Sequence, residues 1–268
     1  MTTKFRLSAL ALIVAIFSVQ CTKEGGEVPT YPTSVESYFT AGTFSYDGIN
    51  IKYQETTTQA QSAGAASLVV VLRGQNSAGS DNKSQIRHDA MIRIWHNLTH
   101  GNNKAVILAP QCGSSRSWDE NTGEIKGTTM AQTLKVLIDD FLVKKPGIDR
   151  SKIYILGYSD GANPAGAGGV WRMLSDYPDL FAAGMAVAAD PDQTILPENV
   201  AKTAVLSVKG EVDSHAVALT LDSFGDQVRD AGGEIKEIVL EVRTREDLCR
   251  EAFSADNLAW VLQFKKSK

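Results

Sequence analysis

The chain has 268 residues, of which 43% are hydrophobic and 22% charged, and its formal net charge is -4. That is the composition of a globular protein able to bury a full core, as one large domain or two small ones. No basic run is long enough for a nucleic-acid surface, so neither DNA nor RNA is expected as a partner.

In chain order, Lys4 and Arg6 precede an apolar run over residues 7–19, which stops just before Cys21. The run is too short to cross a bilayer as a stable helix and reads as a signal segment. With a cysteine at the cleavage point it resembles a bacterial lipoprotein signal, whose thiol is lipidated and becomes the new N-terminus. An ordinary secretory signal with an incidental cysteine is the alternative, because Gln20 is larger than the usual preceding residue. The polar, Gly- and Pro-bearing stretch TKEGGEVPTYPTS that follows favours the anchor. Residues 1–21 are therefore expected to be the signal, 22–40 a tether and 41–268 the folded domain. The protein is expected to be exported and to meet a membrane only through its lipid, on the periplasmic side or the cell surface. Export leaves Cys112 and Cys249 able to form a disulfide, or to remain two buried thiols.

Residues 43–56 alternate polar and apolar around Asp47-Gly48, a hairpin signal. Six continuous apolar runs follow, at 67–74, 104–111, 152–157, 182–189, 203–210 and 235–242. Each reads as a strand covered on both faces. Between them, Met130, Leu134, Leu137, Ile138, Phe141 and Leu142 recur at helical spacing. Residues 218–233 and 254–264 are further helices, the second with Ser254 as N-cap, and IRIWHNLTH is another. A hairpin followed by alternating strands and helices predicts an α/β fold, a mostly parallel central sheet with helices on both faces.

The run at 152–157 leads into Gly157-Tyr158-Ser159-Asp160-Gly161, a G-x-S-x-G motif. Alone the motif is weak; between a strand and a helix it gains force. Its glycines permit a turn sharp enough to lift the serine above the sheet edge. The amide of the next residue, Asp160, is then placed to donate to an oxyanion.

Several separated segments carry a wider likeness. SDNKSQIRH (80–88), ILAPQCGSSRSWDE (107–120), YPDLFAAGMAVAADPD (177–192) and VKGEVD (208–213) flank the serine motif. With it they resemble the α/β-hydrolases of the esterase, phospholipase and polyhydroxybutyrate-depolymerase-like group, from about Thr43 onward. The resemblance implies the α/β-hydrolase fold, Ser159 as nucleophile and Asp213 as acid. It also implies an oxyanion site made by the backbone N–H groups of Asp160 and Gln75. It implies no metal or other cofactor, and a small-molecule or glycan/lipid ester as ligand.

Two loops depart from that pattern. Where the group carries its base, commonly as G-H-D-S-W, this chain reads RTREDLCREAF (243–253), with Glu246 at the position of the histidine. No histidine follows His215. The first oxyanion loop has Arg73 in place of histidine and Gln75-Asn76 in place of small residues. A serine hydroxyl is a poor nucleophile without a neighbouring base, and an unperturbed glutamate is about two pK units less basic than histidine. Asp213 beside Glu246 would raise its basicity, a Ser-Glu-Asp arrangement like that of the serine-carboxyl peptidases in residue types. Arg73 paired with Glu246 would do the opposite. His88, His96 and His100 read as structural. His215, two residues past Asp213, is the other possible base, and a solvated turn histidine is the alternative for it. Trp118 reads as a pocket wall or as an ordinary core aromatic. Two functions follow: a degenerate hydrolase with weak or no activity at neutral pH, or an active one using Glu246 or His215.

Overall fold

The hairpin forms as its turn residues require. β1 (Thr40–Tyr46) and β2 (Ile49–Thr57) are antiparallel, with Tyr46 opposite Ile49. Asp47 and Gly48 between them have φ of +50° and +77°. A two-residue turn with both φ positive matches the twist of the strands it joins, and Asp-Gly tolerates that conformation well. The computed structural model describes residues 29–58, 64–111, 129–162, 169–210, 215–241 and 244–267, with backbone alone at 76, 215–222 and 245.

All six apolar runs are strands: β3 (Ala66–Leu72), β4 (Ala105–Gln111), β5 (Ile148–Tyr158), β6 (Ala183–Val187), β7 (Ala204–Gly210) and β8 (Ile235–Leu240). The eight strands form one sheet in the order β1-β2-β4-β3-β5-β6-β7-β8. The β1–β2 and β2–β4 pairs are antiparallel and every other pair is parallel. The helices are α1 (Ser84–Arg87), α2 (Asp89–His100), α3 (Met130–Lys144), α4 (Val170–Asp176), α5 (Pro197–Val200), α6 (His215–Asp230), α7 (Arg245–Ala252) and α8 (Ala255–Leu262).

The central strands β3 to β7 are apolar because their alternate side chains enter two different cores, whereas β8, expected to be covered on both faces, lies at the sheet edge and leaves Val239 53% exposed. In β3, Leu68, Val70 and Leu72 face one core while Val69 and Val71 face the other. The first core is closed by α3 to α6, through Leu134, Phe141, Trp171, Val200 and Phe224. The second is closed by α1, α2, α7 and α8, through Ile86, Trp95, Leu248 and Leu258. Each fully buried aliphatic or aromatic side chain stabilises the fold by about 1.5–3 kcal/mol, so a strand feeding both cores is anchored twice. Helix starts follow from polar caps. Thr129 accepts from the Gln132 amide at 3.1 Å and opens α3, and Ser254 accepts from Asn257 at 3.3 Å and opens α8.

The folded unit begins at Tyr31, ten residues before the expected boundary at 41. The segment expected to be a tether is, from Tyr31, held against α2. Val35 is fully buried, Tyr38 stacks on Trp95 with centroids 4.2 Å apart, and Arg87 Nε donates to Glu36 Oε1 at 2.7 Å. Two aromatic rings and a bidentate ion pair outweigh the freedom that Gly and Pro give a linker. Cys21 and the apolar run before it lie outside the described residues. Among those described, no helix is long and apolar enough to cross a membrane.

Candidate active site

β5 ends at Tyr158, and the chain turns at once into a single 3-10 turn, Ser159–Gly161. Ser159 has φ +52°, in the left-handed region that costs a non-glycine residue about 1–2 kcal/mol. The motif glycines are sterically required. A Cβ on Gly157 would overlap the carbonyl oxygen of Gly161, and one on Gly161 would overlap that of Leu72. The turn thus folds back on the end of β5 and against the end of β3. It leaves Ser159 partly exposed at the carboxyl edge of the sheet, where open α/β sheets bind their ligands.

A cleft of about 130 Å³ lies over Ser159. Gly74 and Gln75 reach it from the loop after β3, and His88 from the junction of α1 and α2. Glu246 and Cys249 reach it from α7, and Tyr158 lines it beside the serine. The sheet order, the strained serine and the cleft at the strand ends together allow comparison with known structures. A thermostable esterase superposes with a TM-score of 0.70 at 20% identity, over 85% of this chain and 64% of that one. A ferulic acid esterase gives 0.63 at 14% identity, over 84% and 97%. S-formylglutathione hydrolase from Staphylococcus aureus gives 0.59 at 12%, over 84% and 98%. The chain has the α/β-hydrolase fold. No protein-family model matches the sequence, and a search of curated proteins finds no match. The chain spans just under two thirds of the thermostable esterase's length.

Within this hydrolase fold the two residues expected to supply oxyanion amides lie in neighbouring turns. Gln75 opens a 3-10 turn, Gln75–Ser77, packed beside the serine turn that holds Asp160. First-turn amides of a helix have no acceptor within the helix itself. Arg73, a pocket candidate by its loop position and a possible partner of Glu246, is not among the described residues that line the cleft and does not pair with Glu246. It is fully buried, and among the described residues the carboxylate it meets is Asp160, Nη1 to Oδ2 at 3.1 Å. The reason is geometric: the residue after the serine turns its side chain toward the end of β3, where Arg73 starts. Arg73 also donates to the carbonyl of Gly74 at 3.1 Å, so one guanidinium ties the two turns together.

Tyr158 fills the space that a side chain at Gly74 would need, and its hydroxyl lies 3.2 Å from Ser77 Oγ. Burial pushes its phenol up to about 12, so it remains neutral. His88 stacks on Tyr158 with centroids 4.6 Å apart, and its Nδ1 accepts from the Ala90 amide at 3.1 Å, capping α2. Its structural reading is therefore met, but the ring also lines the cleft, which sequence reasoning missed. Burial lowers the His88 pKa from its ordinary value, against the pull of Asp89 and Glu246. The segment before it is held by Asp81, which accepts from Gln111 Nε2 at 2.8 Å and from the amides of Ser84 and Lys83. The Gln111 bond first, and then those amides, keep the Asp81 carboxyl well below the usual range. The signal for His88 was present: SDNKSQIRH ends in the residue that starts a helix at the sheet's carboxyl edge.

Glu246 lies in the first turn of α7, exposed, with Thr244 as the cap, its Oγ1 accepting from Asp247 at 3.0 Å. An acidic residue there complements the helix dipole. Arg250 joins α7 to α2, donating to Asp247 at 3.0 Å and to Asp89 at 3.3 Å. That fixes Glu246 and His88 on adjoining helix starts around Ser159. Asp213, Trp118 and Cys112 lie outside the described residues. His215 opens α6, with its side chain outside them. Cys249 is buried in α7. His96 and His100 stack on each other along α2 at 3.9 Å, as structural histidines would. Among the described residues no three metal-ligating side chains gather.

Proposed function

We propose that the protein is an exported, lipid-anchored member of the hydrolase fold. It binds a small ester over Ser159 and turns it over weakly or not at all at neutral pH. The observation that carries this reading is the company Ser159 keeps. Its strained turn and both flanking glycines are intact, yet the ionisable groups reaching the cleft from α7 are Glu246 and Cys249, with Glu246 at the position where the group that the sequence resembles carries histidine. A carboxylate accepts a serine proton poorly at neutral pH, so the nucleophile is presented but not activated. The esterases among the structural neighbours support an ester as ligand, and the small cleft suits a short acyl group. The signal-like run before Cys21 supports export and the lipid anchor.

A second reading is favoured by the strained turn itself, since about 1–2 kcal/mol of left-handed strain is retained at Ser159. In it the protein is an active hydrolase with Glu246 or His215 as base. The test is hydrolysis of p-nitrophenyl acetate from about pH 4 to about pH 8 by wild type and Ser159→Ala. The proposed reading expects the two proteins to be nearly equal at neutral pH. A large difference that depends on Ser159 would favour the second.

A further inference from the structure

We propose that His88 is a hydrogen-bond donor of the Ser159 cleft, its Nε2–H binding an uncharged acceptor oxygen of the ligand, such as an ester or amide carbonyl. This rests on the reading of the cleft as an ester site and names the contact that selects the ligand there.

The cap fixes the tautomer. His88 Nδ1 accepts from the Ala90 amide at 3.1 Å, so in the neutral ring the proton is on Nε2. The alternative tautomer would set two N–H groups against each other and leave a first-turn amide of α2 without its acceptor. The ring cannot easily turn away. It is stacked on Tyr158 at a 23° interplanar angle, and Tyr158 is itself tied to Ser77. Nε2 has no hydrogen-bond partner among the described residues, and the ring lines the cleft with Ser159. An imidazole in this tautomer has no lone pair at Nε2, so His88 cannot stand in for the missing base without giving up its cap.

Charge narrows the ligand. The described side chains lining the cleft include one carboxylate, Glu246, and no lysine or arginine. An anionic ligand meets like charge there, whereas a neutral carbonyl meets a neutral donor. The site therefore takes the uncharged ester or amide in preference to the free acid.

The test needs no turnover, so its outcome is independent of whether Ser159 reacts. The chain has four histidines, so the two-bond ¹H–¹⁵N spectrum of ¹⁵N-histidine-labelled protein is simple, and His88→Asn assigns the signal. His88 is expected in the Nε2–H tautomer at neutral pH. N-methylbutyramide, a stable neutral stand-in for a short ester, should shift it, and butyrate at the same concentration should not. Asparagine keeps a capping oxygen, so His88→Asn should fold as wild type does while binding the amide about three- to tenfold more weakly. An Nδ1–H tautomer, no shift with the amide, or equal amide binding by folded His88→Asn would overturn the proposal.

Discussion

Arg73 and Asp160 form an ion pair at 3.1 Å between the loop after β3 and the serine turn, with side chains 0% and 9% exposed. Both charges are largely out of water, so removing the guanidinium takes a close countercharge from the Asp160 carboxylate. Arg73→Met is expected to lower unfolding free energy by about 3–5 kcal/mol in urea titrations. Adding Asp160→Asn should recover part of the loss, because a buried carboxylate that has lost its arginine is then replaced by a neutral amide. A loss below about 1 kcal/mol would show that the pair does not hold the two turns.

The strain at Ser159 has its own signature. At an ordinary site, alanine is more stable than glycine by about 0.4–1 kcal/mol, through the unfolded chain. At φ +52° the order should reverse, with Ser159→Gly more stable than Ser159→Ala by about 1 kcal/mol. Equilibrium denaturation of the two variants decides it, and Ala above Gly would mean that the turn is relaxed.

Most of this fold was legible because its signals are local. Five of the six apolar runs are doubly covered strands as their composition suggests, the edge strand β8 is covered only in part, and Asp47-Gly48 joins β1 to β2 as a hairpin. The serine motif was legible for the same reason, since Gly157 and Gly161 meet backbone oxygens. What could not be read was long-range. The partner of Arg73 depends on where Asp160 points after the turn, and no spacing in the sequence encodes that. His88 looked structural because it is structural. Its second face became visible only once α1 and α2 were set beside Ser159. Residues 31–39 look like a linker by composition, and only Trp95 and Arg87, far along the chain, make them part of the fold.

His88 also sets a pH dependence. Burial lowers its folded-state pKa from 6.5. Between that lowered value and 6.5 the unfolded chain binds more protons, so stability rises with pH. The contribution is complete above about pH 6.5 and is lost as the pH falls below it. Wild type should therefore lose stability relative to His88→Asn from about pH 7 to about pH 5. His96, lowered mainly by burial and further by His100 and Arg93, slopes the same way in both proteins and cancels. A pH-independent difference would place His88 in water.

The anchor is tested by mass. Protein from membranes of an expressing bacterium should begin at Cys21, carry added acyl mass and partition into detergent. Cys21→Ser should abolish all three. Cleavage elsewhere, or an unmodified Cys21, would exclude the anchor.

The central claim is that Ser159 is presented without a competent base, and restoring that base tests it most directly. Hydrolysis of p-nitrophenyl butyrate at neutral pH should be compared for wild type and Glu246→His, each with and without Ser159→Ala. A positioned general base is worth about 100- to 10,000-fold. Wild type is expected to stay near its Ser159→Ala background, and Glu246→His to exceed its own by at least about tenfold. Rapid neutral-pH turnover by wild type, abolished by Ser159→Ala and not raised by Glu246→His, would contradict the account.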